Sequence, residues 1–150
     1  MSPHYEGKPD EARALDAWTK LARATDSVGG RLLGRASFGE LTPRQFGVLE
    51  ALYHLGPMRP GQLSAKLLRS GGNITLVVDN LARDGLVQRQ RDSDDRRVVV
   101  VSLTEKGQQR ISRIFPRHVA DIVTEMSILT AEEQETLSRL CRILGTQERK

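Results

Sequence analysis

The stretch Ser70–Thr104, SGGNITLVVDNLARDGLVQRQRDSDDRRVVVVSLT, decides the fold. Ile74, Val77, Val78 and Leu81 recur at three- and four-residue steps, which predicts a helix with one apolar face. Ser70 stands where a hydroxyl would cap that helix. Gly85 is the expected stop, because glycine enters the left-handed region without a Cβ penalty. Beyond it, Leu86–Arg91 and Val98–Leu103 alternate with period two around the hydrophilic Asp92–Arg96, the pattern of a β-hairpin. A helix running straight into a basic-tipped hairpin outlines a winged helix-turn-helix. That architecture points to DNA.

Upstream, Pro60 opens a short helix with Leu63 and Leu67 inward, and Ser70-Gly71-Gly72 separates it from the next, so the pair forms a helix-turn-helix unit. Thr42-Pro43-Arg44-Gln45 combines a cap, a first-position proline and a capping box; Phe46, Leu49, Leu52 and Tyr53 follow on one face, and Gly56-Pro57 ends the helix. Leu15, Trp18, Leu21, Ala22, Thr25, Val28 and Leu32 mark a long amphipathic helix over 10–36. Gly29 and Gly30 weaken it by roughly 1 kcal/mol each against alanine. Downstream of the hairpin, Thr104 caps a helix carrying Ile111, Ile114, Phe115, Val119, Ile122 and Met126, with Pro116 as a possible kink. Thr130-Ala131-Glu132-Glu133 starts a last helix whose stripe is Leu137, Leu140, Cys141 and Leu144.

The fold class expected is mainly α with a small β-hairpin wing. Residues 40–104 form the winged helix-turn-helix DNA-binding domain, and residues 10–36 and 105–147 form a helical dimerisation region within one chain of 150 residues. The flanking stripes exceed what one small winged helix can cover, so a second copy is the simplest partner, and two copies would read a pseudo-palindromic double-stranded operator.

Charge sharpens this reading. Residues 1–57 and 111–150 are each net neutral, and the whole excess of +4 falls between 58 and 110, in ten Lys/Arg against six Asp/Glu. A basic middle between neutral flanks suits phosphate binding, although a solvated charged face would look the same. No apolar run reaches the roughly 18–20 residues that span a bilayer, and no signal peptide is visible, so a cytoplasmic location without membrane contact is expected. His4, His54 and His118 are scattered without metal spacing, and no P-loop, dinucleotide fingerprint or nucleophile elbow occurs. Neither an enzyme nor a cofactor protein is expected.

Asp95-Arg96-Arg97, followed by Val101-Ser102-Leu103-Thr104-Glu105-Lys106-Gly107, resembles the MarR family of bacterial transcriptional regulators. Leu41–Phe46 and Asp79-Asn80-Leu81 with Asp84-Gly85-Leu86-Val87 match the family's spacing, and the resemblance spans about residues 12–145. It implies an entwined homodimer with one winged helix-turn-helix per subunit, acting as a repressor released by a small aromatic or phenolic ligand. Arg59-Pro60-Gly61 replaces the family's usual polar cap, Gly71-Gly72-Asn73 replaces Ser/Thr and charged residues, and Leu76 often has an Arg counterpart. The Gly-Gly-Asn entry and Ile114–His118 look like the branch with quinone- or phenol-responsive repressors.

The candidate major-groove readers are Gly72, Asn73, Thr75 and Leu76. Asn73 could pair with adenine or merely start the helix, and Thr75 or Leu76 could meet a thymine methyl. In the wing, Arg97 is the candidate for minor-groove insertion, with Asp95 holding its guanidinium; the alternative is a purely structural ion pair. Lys66, Arg89, Arg91 and Arg96 are phosphate candidates, and Asp79 reads as a partner for a nearby arginine. For the ligand the resemblance implies, Trp18, Phe46, Tyr53, His54 and Phe115 are candidate lining residues, each with an alternative place in the core or in solvent. Cys141 shares an apolar stripe and is expected to be buried and inert, against the alternative of a thiol redox sensor. A winged-helix protein-interaction module is the other alternative.

Overall fold

The computed structural model describes residues 4–36, 38–67 and 73–149. In chain order the elements are α1 (Pro9–Arg35), α2 (Pro43–Leu55), α3 (Pro60–Lys66), α4 (Ile74–Arg83), β1 (Val87–Arg91), β2 (Val99–Leu103), α5 (Glu105–Met126) and α6 (Ala131–Thr146). The two strands pair antiparallel, from Val87 with Leu103 at the root to Arg91 with Val99 near the tip. The chain divides into a winged unit, residues 37–119, and a helical unit made of residues 1–36 and 120–150. Residues 105–119, grouped by the sequence with the flanking helices, fall with the winged unit.

The winged unit holds every buried residue described. Its core takes Phe46, Val48, Leu49 and Leu52 from α2, Leu63 from α3, and Ile74, Val78 and Leu81 from α4, closed by Leu86, Val87, Val101 and Ile111. Apolar side chains at helical spacing on α2 and α4 thus meet one face of the hairpin. Thr42 Oγ1 accepts the Gln45 amide at 3.2 Å while Gln45 Oε1 accepts the Thr42 amide at 2.9 Å, the reciprocal box the sequence announces. Gly56 ends α2 at φ 77°. Met58 then pairs with Val101 through two backbone hydrogen bonds of 3.0 and 2.7 Å, which fasten the α2–α3 connection beside β2.

The start of α4 differs from the sequence expectation. Asn73 is its cap, with Oδ1 accepting the Leu76 amide at 3.4 Å. Asparagine caps as well as serine and here stands directly before the first helical residue. Ser70 lies outside the described residues, as do Gly71 and Gly72. The end of α4 is as anticipated: Gly85 adopts φ 74°, Leu86 N donates to Leu81 O at 2.9 Å, and Gly85 N donates to Ala82 O at 3.0 Å. This is a Schellman stop with Leu81 and Leu86 both in the core.

The root of the hairpin is closed by a set of hydrogen bonds. Thr104 N donates to Leu86 O at 3.1 Å, Thr104 Oγ1 to Gly85 O at 2.6 Å, and Lys106 Nζ to Asp84 O at 2.9 Å. Thr104 Oγ1 also caps α5 by accepting the Gly107 amide at 3.0 Å. The start of α5 therefore closes on the carbonyls of the turn that follows α4, and Gly107 makes the approach possible.

In the helical unit, Glu125 accepts from Arg31 Nε at 2.7 Å and Arg35 Nη1 at 2.8 Å, with only 4% of its side chain exposed. α5 continues through Pro116 to Met126. Glu133 and Thr130 form the capping box of α6 at 2.8 and 3.2 Å. No described residue of this unit is buried, and Trp18, Leu33, Val123, Ile128, Leu140 and Leu144 are all more than half exposed.

A Cβ at position 107 would fall 1.9 Å from the Leu86 carbonyl oxygen, a backbone atom that cannot rotate away. Gly107→Ala is expected to destabilise the winged unit by about 3 kcal/mol, read as a lower urea midpoint at unchanged slope.

Candidate nucleic-acid interface

α4 buries Ile74, Val78 and Leu81 and leaves Asn73, Thr75, Leu76 and Asp79 exposed. The face predicted to read the major groove is therefore solvent-accessible over its described residues; Gly72 lies outside them. Asp79 Oδ1 accepts from Arg89 Nη2 at 2.5 Å, which joins α4 to β1. This supplies the arginine partner expected for Asp79. It also means that Arg89, a phosphate candidate from the sequence, has part of its guanidinium committed to positioning the wing against the helix.

The wing tip is organised by Asp95. Its Oδ1 accepts the Arg97 amide at 3.0 Å and Arg97 Nε at 3.1 Å, and its Oδ2 accepts Arg97 Nη2 at 3.2 Å. The fork-on-carboxylate geometry fixes a side chain that is still 90% exposed. Arg91 Nη1 donates to the Arg96 carbonyl at 2.8 Å, bracing the same turn. Arg96 and, at the end of α3, Lys66 are exposed cations without such ties among the described residues. Asp95 is held below its ordinary pKa, first by the Arg97 side-chain bond, then by the Arg97 amide, with a smaller contribution from the charge of Arg59. Arg59 is a residue whose placement sequence reasoning missed. Its only signal was membership in the basic segment, since nothing local ties position 59 to a hairpin tip 36 residues later.

The aromatic candidates separate. Phe46 is buried and stacks on Phe38 at 4.3 Å between centroids; His118 meets Phe46 edge-on at 4.9 Å and stands 4.0 Å from Glu50. Tyr53, His54 and Phe115 form a second set, His54 lying 5.0 Å from Tyr53 and 4.7 Å from Phe115. Tyr53 and Phe115 pack on the core while His54 is exposed. Trp18 belongs to the helical unit and is 64% exposed. A polar hollow of about 440 Å³ in the winged unit is lined by Glu40, Gln45, Arg83, Asp84, Lys106 and Arg110, with none of the aromatic candidates. Cys141, expected to be buried, is exposed: the stripe it shares with Leu137, Leu140 and Leu144 is not covered by the other described residues.

Fold and surface together define a winged helix-turn-helix protein with a fixed, outward arginine at its wing. The family model described as "MarR family" matches residues 41–99. Over 133 residues the chain is 35% identical to the uncharacterized HTH-type transcriptional regulator YkoM of Bacillus subtilis, covering 89% of this chain and 86% of that one. It is also 35% identical over 133 residues to the HTH-type transcriptional regulator MhqR of Bacillus subtilis, covering 89% and 92%. In fold it is similar to BpsR of Bordetella bronchiseptica, whose DNA binding is regulated by 6-hydroxynicotinic acid, with a TM-score of 0.72, 22% identity, and coverage of 87% of this chain and 98% of that one. The chain belongs to the MarR family. It is a DNA-binding transcriptional regulator and not an enzyme. Among the described residues no helix is long and apolar enough to cross a membrane.

Because the Asp95 pKa is depressed, its clamp on Arg97 is complete above the ordinary carboxylate value near 3.8 and is lost as pH falls through the lower folded value. Asp95→Asn is expected to weaken DNA binding about three- to fivefold, a modest effect suited to an exposed pair. Titrations of both proteins between about pH 5 and 8 should give a constant affinity ratio, because Asp95 stays ionised throughout that window.

Proposed function

We propose that the chain is a homodimeric repressor that grips a pseudo-palindromic operator, with α4 in the major groove and Arg97 in the adjacent minor groove. The observation that carries the reading is Arg97 itself: 90% exposed, yet held bidentately by the Asp95 carboxylate, which also accepts the Arg97 amide. A structural ion pair alone gives no reason for projecting the guanidinium into solvent, whereas insertion into a narrow, negative minor groove does. Lys66, Arg91 and Arg96 contact phosphates in this reading, and Arg89 aligns the wing through Asp79.

The second copy is supported by the helical unit. With no described residue buried, α1, α6 and the end of α5 leave Trp18, Val123, Ile128, Leu140 and Leu144 in water. Each such side chain, if covered, contributes about 1.5–3 kcal/mol, and a symmetric partner presents the matching surface. Release by a small aromatic acid or phenol is the regulatory part of the proposal. It draws on the exposed His54 edge of the Tyr53–His54–Phe115 set and on the 6-hydroxynicotinic acid control of BpsR.

Fluorescence-anisotropy titration of the DNA upstream of the chain's own gene tests the whole reading. Wild type should bind specifically, with a log–log salt slope of about −0.9 per phosphate contacted, and 6-hydroxynicotinic or salicylic acid should weaken it. Arg97→Ala should cost roughly thirty- to a hundredfold across both wings while the circular dichroism spectrum stays unchanged. Unaltered affinity in that variant would remove the minor-groove role. Separately, Leu140→Glu should convert a sedimenting dimer to monomer at micromolar concentration, and a wild-type monomer would overturn the dimer.

A further inference from the structure

We infer that Leu76 is a specificity-determining residue that selects a pyrimidine carrying a C5-methyl group, thymine in ordinary DNA, in each operator half-site. The inference rests on the proposed docking of α4 in the major groove and specifies what that helix reads.

Leu76 lies in the first turn of α4 and is 56% exposed, on the side of the helix opposite the buried Ile74, Val78 and Leu81. Its surroundings narrow the chemistry available. Asp79, one turn further on, is drawn to Arg89. Asn73 has its Oδ1 engaged by the Leu76 amide, which leaves Nδ2 as its free functional atom and makes the bidentate pairing with adenine less available than the sequence suggested. No cation stands between Asn73 and Asp79, and Arg83 in the last turn is hydrogen-bonded to Asn80 Oδ1. The common arginine-to-guanine fork therefore has no donor on this part of the helix. What remains is one amide donor, the Thr75 side chain and an isobutyl group. In the major groove the thymine C5-methyl is the apolar feature of the base edges, and it is the group against which an exposed leucine loses the most water.

Selection from a random duplex library with the full chain supplies the operator. Each thymine of the enriched half-site is then replaced by deoxyuridine, which removes only the methyl group. At one position per half-site the affinity should fall about fourfold, the equivalent of ~0.8 kcal/mol for one buried methyl or methylene. At that position a 5-methylcytosine·guanine pair should bind better than cytosine·guanine by the same factor, showing that the methyl and not the thymine carbonyl is read. Leu76→Ala should bind the thymine and deoxyuridine duplexes equally, and selection with Leu76→Arg should move the preference at that pair to guanine. Equal wild-type affinity for every thymine/deoxyuridine pair would overturn the inference, and so would discrimination that survives in Leu76→Ala. Enrichment of no sequence at all would strike the operator-binding reading itself, and this inference with it.

Discussion

The winged unit depends on the closure of the start of α5 onto the carbonyls of the turn that follows α4. Asp84, Gly85 and Leu86 each present a carbonyl that the α4 ladder does not use, and Lys106 and Thr104 take all three. The chain leaves α4 through a left-handed glycine, runs out along β1, returns along β2, and must arrive within hydrogen-bond reach of its departure point. The register from Val87–Leu103 to Arg91–Val99 is the consequence. Gly107 sets the distance of closest approach, and any side chain there would separate α5 from the wing root. The hairpin is thus held at its base by backbone geometry, which leaves the tip free to specialise electrostatically.

That specialisation uses acids as much as bases. Asp79 and Asp95 sit among arginines that a phosphate-binding surface would want unopposed, and each reduces the local positive charge. What each contributes is position. Asp95 converts a flexible exposed guanidinium into a directed one, and Asp79 with Arg89 fixes the approach of β1 to α4. Long side chains surrender rotamer freedom on binding, so restraining them beforehand lowers the entropy lost at the interface. A surface with fewer net charges, but with its arginines already placed, trades some long-range attraction for orientation.

Much of this was legible because it was local. The α2 capping box, the Gly85 stop and the hairpin alternation are each written within a few neighbouring residues, and the structure follows them. What was less legible has a common physical origin in contacts that local pattern does not encode. Ser70 and Asn73 are both competent caps, and the nearer one to the apolar run is used. Asp79 calls for a nearby arginine, but that Arg89, ten residues later, is the one that meets it comes only with folding. Cys141 was assigned to a core from its apolar stripe, but a stripe reports only that something must cover it, not that this chain does. The stripe of α5 is visible in the sequence, but that its residues 105–119 pack with the wing is set by tertiary contacts.

The uncovered stripe has a thermodynamic consequence for DNA reading. A helical unit whose described residues include none that is buried, and in which the Glu125 carboxylate is nearly enclosed between Arg31 and Arg35, has little apolar burial of its own to oppose chain entropy. Under the proposed dimer, folding of that unit and association become one equilibrium, so its stability rises with protein concentration. The winged unit has its own core and does not share this dependence. Dilution would then remove the second reading head before it unfolds the first, and the loss in operator affinity would be steeper than the loss of folded wing.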